Sequence, residues 1–180
     1  MWHAPVTTTA PAQEPITLAL AKEFLRLEGN DRFDGEVGLH IAGARTAIET
    51  RTSTRLITQQ VRIACDRIAD LDRLPIGPVA AIVEIVFIAP DGTRDEVPGE
   101  AFELFGSGLT FGIRTTDGSA WPAPASRSGA IEVTLTVGYG ADGDALPGDL
   151  KLALLFAIRA GFDDAPHVID HWLCNHRIWP

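Results

Sequence analysis

Residues 130–162, AIEVTLTVGYG-ADGDALPGD-LKLALLFAIRAGF, decide the fold class. Ile131, Val133, Leu135 and Val137 alternate with Glu132, Thr134 and Thr136, the period of a half-buried β-strand. Gly138-Tyr139-Gly140 ends that strand. An acidic loop over 141–149 follows, and Pro147 stands where a helix can begin. Residues 150–162 read as a helix with no polar stripe, which implies burial on several sides. A strand, a turn and a buried helix make a scaffold rather than a reaction centre.

Working outward, Thr17 can cap a short helix carrying Leu18, Ala21, Phe24 and Leu25, and Gly29-Asn30 stops it. A second helix starts near Asn30 or Asp31, where Phe33, Val37, Ile41, Ala44 and Ile48 recur at helical spacing. Gly35, Gly38 and Gly43 interrupt it, each costing up to ~1 kcal/mol relative to Ala. Either another helix approaches closely, from this chain or a second copy, or a packed helix tolerates them. Leu56, Ile57, Val61 and Ile63, mixed with Thr58, Gln59 and Gln60, read as a strand. Residues 79–89 form an apolar run, and Pro90-Asp91-Gly92-Thr93 turns it back over 93–97. A second pair, 101–105 and 109–113, is joined by Gly106-Ser107-Gly108.

The fold class is therefore α+β. Two N-terminal helices and one C-terminal helix form a small bundle. An antiparallel layer of about six short strands is inserted between them. Residues 1–15, rich in Thr, Ala and Pro and without a period, read as a flexible arm. Residues 16–162 read as one domain, and 163–180 as an extended tail. His167 onward (HVIDHWLCNHRIWP) is too apolar for an exposed tail. Its aromatics mark either a docking segment or a strap across the chain's own core.

The chain has 180 residues, enough for a core that folds alone, with 46% hydrophobic residues and a formal net charge of -9. That charge argues against broad nucleic-acid binding, which needs cations to neutralise phosphates. Arg45, Arg51, Arg55 and Arg62 against the single acid Glu49 make the one locally basic run. It reads as a solvated face, or as a surface for an acidic neighbour or DNA phosphates. Cys65 and Cys174 lie far apart without CxxC spacing, as in a reduced, cytoplasmic protein. No segment reaches the ~18 consecutive apolar residues of a membrane span. The first dozen or so residues lack the charged start and apolar run of a signal peptide.

Motifs for chemistry are sparse. His167, His171 and Cys174 would share a helix face, with His176 beyond, and Zn²⁺ takes such ligands. The spacing matches no zinc signature, and HxxxH lacks the glutamate of HExxH. A zinc-dependent or other small enzyme using this set is the alternative reading. Asp142, Asp144 and Asp149 do not make a calcium loop, because the twelfth position holds Ala153 where a glutamate is required. Ser107 is no nucleophile elbow, since Phe105 and Leu109 stand where GxSxG needs glycines. No phosphate-binding glycine loop is present. The residues thus nominate no catalytic, cofactor or metal site.

The ordered elements resemble those of phage head–tail connector (portal adaptor) proteins, a family also found in phage-like gene transfer particles. The resemblance runs from Pro15-Ile16-Thr17-Leu18-Ala19 and Phe24-Leu25-Arg26, through Leu56-Ile57-Thr58-Gln59, to Leu74-Pro75, Pro78 and Asp91-Gly92-Thr93. It ends with Trp121-Pro122, Val133-Thr134, Gly138-Tyr139-Gly140 and Leu146-Pro147. Leu20 departs from it, where the family often has an acidic residue, as does Ser53, where glycine is common. The tail beyond Phe162 is not covered.

This resemblance implies a structural ring of about twelve copies beneath a portal, without cofactor or catalysis. A tail-side connector or tail terminator would sit on the other face, with DNA passing through unbound. Such a protein belongs to the virion or phage-like particle and is made in the bacterial cytoplasm. Candidate subunit contacts are Arg45, Arg51, Arg55 and Arg62 against Asp95 and Glu96 of the next copy. Trp172, Leu173, Ile178 and Trp179 are candidates for docking to the portal, in a tail whose removal should spare the fold.

Overall fold

The computed structural model describes residues 1–165 and 168–179. It divides into two compact units interleaved along the chain. One takes Met1–Ala10, Gln59–Gly138 and the C-terminal residues from Ile178; the other takes Pro11–Thr58 and Tyr139–Arg177. The arm, domain and tail boundaries read from the sequence do not coincide with this division.

The first unit is the β unit. Its strands are β1 (Val6–Thr9), β2 (Gln59–Cys65), β3 (Val79–Ile88), β4 (Arg94–Glu96), β5 (Phe102–Ser107), β6 (Thr110–Thr115) and β7 (Ile131–Val137). Five of them form an antiparallel sheet in the order β1-β2-β7-β3-β4, and β5-β6 form a separate hairpin. The alternating strand of the opening stretch is β7, and it lies at the centre of the sheet. Its register sets Leu135 opposite Val61 and Val133 opposite Ile63 on β2, and Val133 opposite Ile85 on β3. These side chains are buried together with Phe87 and Ile131. Each such aliphatic residue contributes roughly 1.5–3 kcal/mol by leaving water. The Trp121 ring stacks on Phe87 at 5.6 Å and on Phe102 at 6.5 Å between centroids, which ties the 116–130 loop to that core.

Part of the arm expected to be free over 1–15 is a strand, β1, and the residues before it also join the sheet. Trp2 bridges to Cys65, the His3 N–H donates to the Ala64 carbonyl at 2.8 Å, and Val6 and Thr7 pair with Arg62 and Val61. Among the described residues the β unit therefore has seven strands, one beyond the six or so expected, divided between the five-stranded sheet and the hairpin. All of β1 is exposed, so no apolar period was required of it. What it retains is the β-propensity of Val and Thr.

The second unit is helical. Its helices are α1 (Leu18–Leu25), α2 (Asp34–Thr52), α3 (Gly148–Phe162) and α4 (Asp170–Leu173). The Thr17 hydroxyl caps α1 by accepting from the Leu20 N–H at 3.2 Å. A 3-10 turn over Asp31–Phe33, capped by Asn30, leads into α2. Val37, Ile41, Ala44 and Ile48 form the α2 stripe. They share a core with Leu150, Ala153, Leu154 and Ile158 of α3, the helix without a polar stripe. Lys22 is buried beside this core and bridges Asp31 at 2.8 Å and Asp34 at 2.6 Å. A Cβ added at Gly35, Gly38 or Gly43 would meet nothing within 4 Å. Close approach from within this chain therefore does not account for the three glycines.

The tail is not extended. Leu173 on α4 and Ile169 just before it are buried in the helical core, and a 3-10 turn over Cys174–His176 follows. Among the described residues, no helix is long and apolar enough to cross a membrane.

Candidate interface surfaces

The arginines of the basic run are divided between the two units. Arg45, on α2, donates through Nε to Glu14 at 2.7 Å and lies 3.6 Å from Glu49. Glu49 is buried and accepts the Leu56 N–H at 2.9 Å. Burial pushes its carboxyl up, against that hydrogen bond and the charges of Arg55 and Arg45. Burial also pushes the Arg55 guanidinium down, with Glu49 pulling the other way. These groups lock the end of α2 to the residues leading into β2. Arg51 sits 3.7 Å from Asp170, which also accepts from Arg177 at 2.7 Å. Arg62, by contrast, is exposed on β2 in the β unit.

Asp95 and Glu96 are exposed on β4, at one edge of the sheet. Their neighbour Arg94 forms a two-pronged pair with Glu132 at 2.9 and 3.1 Å. The hydrogen bonds and charge of Arg94 hold the Glu132 carboxyl below the ordinary range, despite partial burial. Thus Arg94 is engaged within the chain, and the acidic charge of β4 projects outward.

Of the tail residues nominated for docking, Leu173 is fully buried and Ile178 is 8% exposed. Ile178 packs beside Gly77 within the β unit. Trp172 stacks on Phe156. Trp179 is 62% exposed and, with Met1, Trp2, Leu74 and Pro75, lines an open groove of about 380 Å³.

His171, Cys174 and His176 form no metal-binding group: among the described residues, no group of three or more His, Cys, Asp or Glu could hold a metal ion. His167 lies outside the described residues. The Cys174 thiol donates to the His171 carbonyl at 3.1 Å, and the His171 ring lies against Trp172. His176 is turned the other way, with Nε2 2.8 Å from Asp149 and Nδ1 3.1 Å from the Tyr139 hydroxyl. Burial, with Asp149 nearby, pushes the Tyr139 phenol up to about 12. Tyr139 directly follows the strand, Asp149 opens α3 and His176 lies in the tail, so only the fold unites them.

A second polar hub was equally hidden in the sequence. Asp66, just after β2, accepts from Ser128 at 3.1 Å and from the Gly129 N–H at 2.8 Å, and pairs with His3 at 2.8 Å. The acidic loop is engaged as well. Asp142 caps a 3-10 turn by accepting the Asp144 N–H, and a Cβ on Gly143 would collide with the Pro15 carbonyl.

No family model and no curated protein matches the chain. Solved structures do. The chain is similar to one in the neck of an empty gene transfer agent (GTA) particle computed with C6 symmetry, with a TM-score of 0.80 at 23% identity, over 99% of this chain and 97% of that one. It is similar to a chain of the virion of a native GTA particle, with a TM-score of 0.80 at 24% identity and the same coverage. A chain from the neck of a native GTA particle, computed with C12 symmetry, matches with a TM-score of 0.68 at 24% identity, over 93% of this chain and 95% of that one. The α+β fold of this chain is thus one found in chains of gene transfer agent necks and virions.

Proposed function

We propose that this chain is a structural component of a phage-like particle, a head–tail connector that forms a ring under the portal. The observation that carries the reading is the likeness over nearly the whole chain to neck chains from structures computed with C6 and C12 symmetry. The order of elements noted in the sequence points the same way. In this reading the partners are further copies of the chain, about twelve in all, the portal, and a tail-side connector or tail terminator. The chain works in the particle after synthesis in the bacterial cytoplasm, and it is not an enzyme.

DNA passes through the ring without being held. A net charge of -9 repels phosphate, so a duplex slides rather than sticks. The portal contact is assigned to the tail, with Trp179 as the exposed anchor in the β unit and Trp172 contributing from the helical unit. Leu173 and Ile178 act from inside, holding the segment in place. Between copies, Arg62 faces Glu96, with Asp95 beside it on the other face of the strand, while Arg45, Arg51 and Arg55 support the helical unit. Deleting the gene in cells that make the particle tests the reading. Unjoined heads and tails are expected; particles joined in normal number would contradict it.

A further inference from the structure

We infer that copies of this chain join edge to edge through the five-stranded sheet, β4 of one copy lying along β1 of the next, with Glu96 set against Arg62. The inference rests on the ring reading above and names the contact that would close it. Among the described residues both outer strands are unpaired on one side, because the order β1-β2-β7-β3-β4 leaves each with a single neighbour. Their directions follow from the pairings. β2 and β3 both run antiparallel to β7, β1 runs antiparallel to β2, and β4 antiparallel to β3. So β1 and β4 point the same way. A rotation about an axis along the strands carries β4 of one copy beside β1 of its neighbour as a parallel pair. Such a head-to-tail contact uses two different surfaces and can repeat until it closes.

The charges fit this arrangement and oppose the symmetric one. Arg62 stands one strand in from the β1 edge, opposite Val6, and is exposed. At the far edge, Glu96 lies opposite Val86, on the same face of the sheet as Arg62, whereas Asp95 lies opposite Phe87 on the other face. Arg94 is engaged by Glu132, which leaves Glu96 as the outward charge of β4 on Arg62's face. A head-to-tail pair brings opposite charges together, whereas a two-fold pairing of β4 with β4 would set acid against acid. Val6, 57% exposed at the edge, would also be covered. Both edges carry devices that keep lone copies apart: each is short, β4 is charged, and the register of β1 shifts between Thr7 and Thr9. The contact is therefore weak singly and stable only when repeated around a ring.

The test uses the full chain in assembled particles. Cys174 is first replaced (C174S), and Thr8→Cys and Asp95→Cys are then introduced together. Adjacent strands lie about 4.8 Å apart, within disulfide reach, and more distant surfaces do not. A non-reducing gel should show a ladder of multiples of this chain. In parallel, R62E and E96R should each lower incorporation about tenfold, and the combined exchange should restore it. If the chain is in the particle but forms no ladder, cross-links only to a different protein, or tolerates both single reversals, the edge contact is wrong and the ring reading stands. If the unaltered chain is missing from particles, the ring reading itself fails.

Discussion

The Trp172 ring lies nearly flat on Phe156, with centroids 4.9 Å apart and planes 13° from parallel. This contact fastens the tail to α3, and Leu173 buries itself beside it. The tail is part of the fold rather than an appendage.

Removing it should therefore cost stability. Leu173→Ala is expected to destabilise by ~2–5 kcal/mol, the range for deleting a fully buried leucine. Truncation at 166 should cost more, since Ile169 leaves the core as well. Denaturant midpoints check this. An unchanged midpoint for the truncated chain would restore the detachable tail expected from the sequence.

Glu49 supplies a second prediction. Its carboxylate accepts the buried Leu56 N–H, so Glu49→Ala should cost about 1–3 kcal/mol by leaving that donor unpaired. Glu49→Gln, which keeps an acceptor, should recover much of the loss. Thermal unfolding of the two variants separates the hydrogen bond from the charge.

Asp66 gives a dependence on pH. Its hydrogen bond with His3, the Gly129 N–H and Ser128 hold its carboxyl well below the ordinary carboxylate range, against a smaller effect of burial. The folded value is depressed, so the contribution to stability is present above the unfolded carboxylate range. It is lost as pH falls through the folded value. Asp66→Asn should be less stable than the parent at neutral pH, and the gap should narrow in acid. A gap that widens on acidification would contradict the assignment.

An acidic ring that lets DNA slide should not grip it. Duplex binding across a salt series is expected to be negligible even at low salt. Tight binding with a steep salt slope would point to a DNA-binding module instead.

Much of the scaffold is legible in sequence because its elements bury one face and carry the matching period. The 131–137 alternation and the Val37-Ile41-Ala44-Ile48 stripe became a central strand and a core helix face. Legibility ends where burial stops imposing a period. The β1 strand is exposed throughout, so its pairing with β2, some fifty residues away, leaves only propensity as a trace. The same holds for polar groups joined across the chain. Nothing local links Tyr139, Asp149 and His176, or Asp66 with His3 and Gly129. Gly112 is a further case. Its lack of a side chain allows close approach by the Asp72 carbonyl, a need that no turn motif announces. Gly112→Ala should destabilise by about 1–3 kcal/mol, readable in a denaturant melt.

An electron cryo-microscopy reconstruction of particles from cells making a tagged form of this chain is the decisive measurement for the proposed ring at the neck. A closed ring of this α+β fold at the head–tail junction is expected, with the tag density repeated once per copy. Tag density elsewhere in the particle, or particles with a neck ring that lacks this chain, would contradict it.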